Sequence, residues 1–407
     1  GKNSRANVRR AVYTGARARV ARVVDVPRVD VPRRFWREVE DENDDDDADG
    51  GWVRRCARFV SAPWRRWRRW RRAPRAVVDV RCAALNPVDA KRLVGDKLPA
   101  RCETAAIAAT RGRPVGFDFS GVVVRADAND RGIAPGARVF GIAPPFGGAL
   151  ADVVECPLDS LALAPRRARP SFRRDAAIGL CGVTILQALD EVRDSRGAIP
   201  SPVLVIGASG GLGHLACALV RAEGATAFGV CSSANLAFIR RELGVDAAPY
   251  DDPNVSLEQY LERSGLDFKL ILDTVTSNAR VDAAPRYPER LRARVGDACR
   301  YVKFGGTSTQ WFVALIHRLG VPIPSRWRDF HPLAPPCWIH IPGCFRRLDR
   351  LARLVVAGDA RPIIARACPF TQAGLDDAFD LVRSRRAIGK VIIDVQPDAN
   401  DSYPSTR

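Results

Sequence analysis

The chain contains no methionine, four histidines and six lysines. His214, His317, His331 and His340 form no HxxxH pair, and the eleven cysteines form no CxxC pair. Neither a zinc site of the usual ligand spacing nor a disulfide framework is indicated, and a reducing compartment is expected. With lysine so scarce, 58 of the 64 basic residues are arginine, and against 46 acidic residues they leave a net charge of +18. A charge of that size prompts a search for nucleic acid or an anionic membrane. Most of the arginine is diffuse rather than gathered into a patch, which reads as codon bias and disfavours nucleic acid as a partner. A long apolar run is also missing. Pro202–Val220 is nineteen uncharged residues, but its four glycines and His214 argue against a membrane span.

What is present is enough for a folded protein. At about 100–200 residues per domain, 407 residues predict two or three domains, and 46% hydrophobic residues can fill their cores. Residues 1–24 carry six arginines, one lysine and no acid, the composition of an organellar transit peptide. The alternation in Val8–Tyr13 and Ala18–Val24 equally fits an exposed β-hairpin, and the hairpin is the reading preferred here.

Residues 33–75 break the pattern. An acidic run, Glu38–Asp49, is followed by Trp64-Arg-Arg-Trp-Arg-Arg-Trp-Arg-Arg72. Charge blocks of this kind read as a low-complexity insertion, a solvated loop. The i, i+3, i+6 spacing of Trp64, Trp67 and Trp70 leaves peripheral membrane contact and single-stranded nucleic acid as competing readings.

Beyond the insertion, Ala76–Ala84 alternates as a strand, and short β-like segments follow as far as Val154. Asp175–Leu189 has helical spacing. Helices and strands then alternate: Pro202–Ile206, Leu212–Ala222, Thr226–Val230, Leu236–Leu243, Leu270–Leu272 and Tyr301–Phe304. That order implies an α/β fold with a doubly wound parallel sheet. A helix over Leu348–Ala357 and a strand over Lys390–Val395 close the chain, and 311–346 match no template.

The sharpest signal is Pro202-Val-Leu-Val-Ile-Gly-Ala-Ser-Gly-Gly-Leu-Gly213, read as strand, glycine turn and helix. As (G/A)xGxxG it puts Ala208 at the tight turn, Gly210 where backbone approaches a pyrophosphate, and Gly213 where helix meets strand, with Ser209, Gly211 and Leu212 completing the loop. The next strand runs into Cys231-Ser-Ser-Ala-Asn235 without the acid that an NAD site places on the ribose. Ser232, Ser233 and Asn235 offer donors and Arg240 a cation, which favours NADPH. Alternatively, these serines cap the helix that follows.

Several motifs in order resemble the medium-chain dehydrogenase/reductase superfamily, in its zinc-independent quinone oxidoreductase and enoyl reductase branch. They are Ala84-Leu-Asn-Pro-Val-Asp-Ala-Lys91, Gly116-Phe-Asp-Phe-Ser-Gly-Val122, Pro135-Gly-Ala-Arg-Val-Phe-Gly141, Gly148-Ala-Leu-Ala-Asp152, Gly182-Val-Thr184, the glycine loop, Leu243-Gly-Val-Asp246 and Gly389-Lys-Val-Ile-Ile393. Leu354–Ile364 with Cys368-Pro-Phe370 looks most like the reticulon-interacting mitochondrial NADPH oxidoreductases, and plastid quinone oxidoreductase homologues are similar too.

The resemblance implies a GroES-like β-rich catalytic domain over 8–170, a Rossmann domain over 171–358, a return to the catalytic domain over 359–396 and a tail over 397–407. It implies Thr184 at the nicotinamide, Ser209–Gly213 at the pyrophosphate, Ser232 and Tyr250 at the adenosine ribose and its phosphate, and Asp273, Gly305 and Lys390 near the cofactor. Asn86, Asp89 and Lys91 are the candidates for moving a proton, although Asn86 and Asp89 also read as turn residues. Zinc-binding relatives carry a cysteine at the Asn86–Asp89 segment and Gly-His-Glu where this chain has Gly116-Phe-Asp118, so no metal is expected.

The implied activity is hydride transfer from NADPH to a quinone or an α,β-unsaturated carbonyl, in a mitochondrion or plastid by resemblance and otherwise in the cytoplasm. A homodimer stays open. Two departures, Thr-Val-Thr-Ser after Asp273 where glycines are usual and Pro135-Gly-Ala137 without the family's aspartate, motivate an alternative: a catalytically weak NADPH-binding sensor or scaffold.

Overall fold

The computed structural model describes residues 7–13, 21–27, 73–94, 115–143, 148–167, 169–275, 287–292, 299–304 and 344–396. Of the insertion expected over 33–75, residues 33–72 lie outside them, whereas Arg75 already belongs to a strand; Gly305 and residues 311–343 also lie outside. The alternating N-terminal segments form the expected antiparallel hairpin, β1 (Asn7–Tyr13) with β2 (Ala21–Pro27).

A mixed sheet is built around β3 (Arg75–Leu85), whose alternating burial follows the period-two pattern of its sequence. β4 (Asp118–Ala126) runs antiparallel along one edge of β3. Beyond it come β5 (Arg138–Ile142) and β7 (Leu161–Leu163). The other edge of β3 is shared: β6 (Val153–Pro157) pairs with 75–79, and β14 (Lys390–Asp394) pairs with 82–85. β13 (Ile364–Pro369) then adds parallel to β14. The C-terminal strands thus enter the sheet of the N-terminal ones.

The second sheet is all parallel, in the order β10 (Asp246–Pro249), β9 (Ala227–Cys231), β8 (Val203–Ile206), β11 (Leu270–Asp273), β12 (Arg300–Lys303). Its strands are apolar on both faces because helices cover both. Val203, Val205, Leu270 and Leu272 pack on α3 (Gly179–Val192), α4 (Gly213–Ala222) and α8 (Phe345–Ala357). Leu204, Ile206, Val230 and Ile271 face α6 (Leu257–Arg263) and α7 (Tyr287–Arg292). Chain order reverses direction at β8, between β9 and β11, which is the switch point at which open α/β sheets place ligands.

Three expectations are corrected. The helix expected over Asp175–Leu189 is two: α2 (Phe172–Ala176) and α3, separated at Ala177-Ile178. The helix at 236–243 begins as α5 (Leu236–Phe238) and continues as a π-helical turn, Ile239–Leu243, ended by Gly244 in the left-handed region. Four of the described helices were not anticipated: α1 (Pro87–Val94), α6, α7 and α9 (Gln372–Ser384), the last linking β13 to β14. Pro202–Val220 is strand, turn and helix, and among the described residues no helix is long and apolar enough to cross a membrane.

Candidate active site at the junction of the two sheets

The glycine loop leaves β8 at its carboxyl end. Gly207 adopts φ +81, so the tight turn belongs to Gly207 rather than to Ala208, which is buried and packs at Gly229. A Cβ at Gly213 would stand 2.0 Å from the Gly207 carbonyl oxygen, so only glycine lets α4 approach the strand this closely. At Gly210 a Cβ would meet nothing nearer than 3.4 Å, so the outer side of the loop is open. No side chain caps the start of α4 at Leu212. An open glycine cradle leading into a helix N-terminus without a side-chain cap fits the pyrophosphate of a dinucleotide.

The loop is fastened to the mixed sheet. Gly389 N–H donates to the Ser209 carbonyl at 2.9 Å, Gly210 and Gly389 form a parallel bridge, and Gly211 faces Gly389 and Lys390. His214, on the first turn of α4, is fully buried. Its Nδ1 lies 2.8 Å from the Gly210 carbonyl, and its Nε2 accepts the Ile363 N–H at 3.1 Å. That arrangement puts the proton on Nδ1, and burial lowers the ring's pKa to about 4.

Beneath the loop Asp118 is a hub. One carboxylate oxygen accepts the Leu180 N–H at 2.5 Å at the start of α3. The other accepts Asn86 Nδ2 at 2.9 Å and Lys390 Nζ at 3.1 Å. Lys390 also donates to Asn86 Oδ1 at 2.6 Å, and Cys181 Sγ lies 3.6 Å away. All four side chains are buried. Burial opposes the Lys390 ammonium, but the charge of the Asp118 carboxylate and the hydrogen bond to it favour the ammonium, and the pKa is raised. Burial likewise raises the Cys181 pKa, keeping it a thiol.

Of the three proton-transfer candidates, Asn86 therefore belongs to the buried network. Asp89 is also fully buried and accepts the Asn86 N–H at 2.8 Å, closing the start of α1. This is the turn role weighed as the alternative. Lys91 lies on α1, with its side chain outside the described residues.

The cofactor candidates are more dispersed. Thr184 is the one partly exposed residue between Asp175 and Leu189, and its hydroxyl donates to the Leu180 carbonyl at 2.7 Å. Gly182, from the same motif, lets Leu351 of α8 close on α3. Asn235 donates to Ser209 Oγ at 3.0 Å, joining the end of β9 to the glycine loop. Ser232 makes no capping hydrogen bond, so the serine cap is not formed there. Ser233 instead donates both its N–H, at 2.7 Å, and its hydroxyl, at 2.8 Å, to Asp251. Tyr250 is 46% exposed beside it, and Arg240 is exposed.

Asp273 is buried and receives the Tyr301 hydroxyl at 2.6 Å and the Val275 N–H at 3.0 Å, so its oxygens fasten β11 to β12. Thr274 and Val275 crowd the Gly207 turn. Sequence reasoning missed Asp118 as the hub, His214 as a pin and Asp251 as the partner of Ser233. Gly116-Phe-Asp118 did mark the first by position. Among the described residues no group of three His, Cys, Asp or Glu side chains gathers to hold a metal.

No protein-family model matches the chain. It is 27% identical over 346 residues to the human protein "NAD(P)H oxidoreductase RTN4IP1, mitochondrial", covering 78% of this chain and 81% of that one. It is 25% identical over 327 residues to 2-methylene-furan-3-one reductase of Solanum lycopersicum, covering 78% and 71%. In fold it is similar to the quinone oxidoreductase of Coxiella burnetii, with TM-score 0.62, 20% identity and coverage of 96% and 99%. It is also similar to the Escherichia coli quinone oxidoreductase solved with NADPH, with TM-score 0.56, 20% identity and coverage of 79% and 91%. Sequence relatives and architecture agree with the motifs: the chain is similar in sequence and in fold to oxidoreductases of the medium-chain dehydrogenase/reductase superfamily, in its quinone oxidoreductase and enoyl reductase branch.

Proposed function

We propose that this NAD(P)H-dependent oxidoreductase of the quinone oxidoreductase and enoyl reductase type takes NADPH and reduces a quinone or an α,β-unsaturated carbonyl compound without a metal. The observation that carries the reading is the open glycine cradle at the switch point of the parallel sheet, bonded directly to the strand that bears Lys390. When bound, a reduced nicotinamide supplies the hydride.

The chain's own residues bind and orient. Ser209–Gly213 offer backbone to the pyrophosphate, and Thr184 offers the partly exposed polar position on α3. Ser232, Asn235, Arg240 and Tyr250 stand at the ribose end. Asp118 ties Asn86 and Lys390 together within the mixed sheet and, by accepting the Leu180 N–H, joins them to α3, which packs on the parallel sheet and carries Thr184. Lys91, on the helix that follows Asn86, is the residue we assign to proton delivery.

Acceptor-dependent oxidation of NADPH, followed with quinones and enals before and after dialysis against a chelator, tests the reading. Turnover unchanged by the chelator is expected, and turnover restored only by a divalent metal contradicts it.

The sensor or scaffold reading draws on one observation, the crowding of the Gly207 turn by Thr274 and Val275. Cofactor binding with no turnover of any acceptor would support it.

A further inference from the structure

The end of β9 carries no acid, yet an acid occupies that corner. β10 delivers it: Tyr250 N–H donates to the Cys231 carbonyl at 3.0 Å, which draws the residues after β10 alongside those after β9. The next residue, Asp251, then accepts both Ser233 donors through one carboxylate oxygen, at 2.7 Å and 2.8 Å. Ser233 is one of the donors available to a phosphate on the adenosine ribose.

Cations share the corner. Burial and Asp251 push the Cys231 thiol up to about 11 while Arg240 opposes them, and Arg386 opposes Asp251 at the Tyr250 phenol. A phosphate arriving here finds two exposed arginines and a tyrosine, but also a negative charge already bonded to Ser233.

We propose that Asp251 is a specificity-determining residue, an internal anion that holds the Ser233 donors and thereby limits the chain's preference for NADPH over NADH. The proposal rests on the dinucleotide reading of the glycine loop. Against a 2′-phosphate the carboxylate is a like charge competing for the same donors. Against the free 2′-hydroxyl of NADH it is an acceptor, the role that an acid at the end of the second strand plays in an NAD site. Asp251 and Ser233 are both exposed, so a phosphate can displace the carboxylate without unfolding anything.

The test is a fluorescence titration of the full chain with NADPH and with NADH, for the parent and for Asp251→Asn, Asp251→Ser and Asp252→Asn. Asp251→Asn keeps an acceptor for Ser233 and removes the charge. Asp252 binds the Tyr260 hydroxyl and the Asn254 N–H, so its variant controls for a charge lost one residue away.

The expected result is a ratio of NADH to NADPH dissociation constants that rises about tenfold or more in both Asp251 variants and stays within about twofold of the parent in Asp252→Asn. Tight binding of both cofactors with an unchanged ratio in the Asp251 variants overturns this proposal and leaves the dinucleotide reading intact. Equal rises in the Asp251 and Asp252 variants overturn it in favour of a general charge effect. Failure of the parent to bind either cofactor overturns both.

Discussion

Lys390 Nζ lies 3.1 Å from an Asp118 carboxylate oxygen, in side chains that are 2% and 0% exposed. Asp118 opens β4 and Lys390 opens β14, and the same carboxylate caps α3 of the parallel sheet through Leu180. One ion pair therefore joins the strand pairing of the mixed sheet to the helix that carries Thr184.

Breaking that pair from one side leaves a charge in a dry site. Lys390→Met is expected to lower unfolding stability by about 3–5 kcal/mol, and Lys390→Met with Asp118→Asn by clearly less, because the second change removes the stranded carboxylate. Denaturant titrations of the two variants measure the difference.

Gly213→Ala places a methyl group 2.0 Å from the Gly207 carbonyl oxygen and 2.9 Å from Ala208 Cα, backbone atoms that cannot turn aside. The start of α4 must shift away from β8, at a cost of about 1–3 kcal/mol. NADPH affinity is expected to fall at least about tenfold, read by fluorescence titration.

His214 gives the fold a pH dependence whose sign follows from its environment. Burial holds its folded pKa at about 4, below the ordinary 6.5, so the unfolded chain binds a proton that the native chain refuses. Its stabilisation is present in full above about pH 6.5 and is lost as pH falls toward 4, a loss of about 3 kcal/mol over the window. Unfolding free energies measured from pH 7 to pH 4 should show this slope in the parent. His214→Gln, which has no titrating ring, should lack that component.

The sequence announced the parallel sheet well because its strands are short, wholly apolar runs between helical periods, and Gly207–Gly213 lies where the glycine pattern puts a dinucleotide turn. What it hid depended on distant partners. Asp118 reads as one more acid until α3 and β14 fold onto it, and Asp251 reads as a loop residue until β10 pairs with β9. The α9 helix, though not anticipated, is legible: Leu375, Ala378, Phe379 and Val382 follow the i, i+3, i+4, i+7 spacing of a buried helical face, after a Thr371 cap.

If Lys91 delivers the proton, Lys91→Ala lowers the turnover number while leaving the NADPH dissociation constant within about twofold, because Lys91 belongs neither to the glycine loop nor to the residues after β9 that are the cofactor candidates. Steady-state kinetics beside a binding titration separate the two effects. Unchanged turnover removes Lys91 from the mechanism.

The most direct measurement is a titration of the intact chain with NADPH, followed in the same sample by addition of a quinone and of an enal while NADPH oxidation is recorded. Saturable NADPH binding followed by acceptor-dependent oxidation is the result expected of a glycine loop that seats a dinucleotide for hydride transfer. A chain that binds no NADPH contradicts the account at its root.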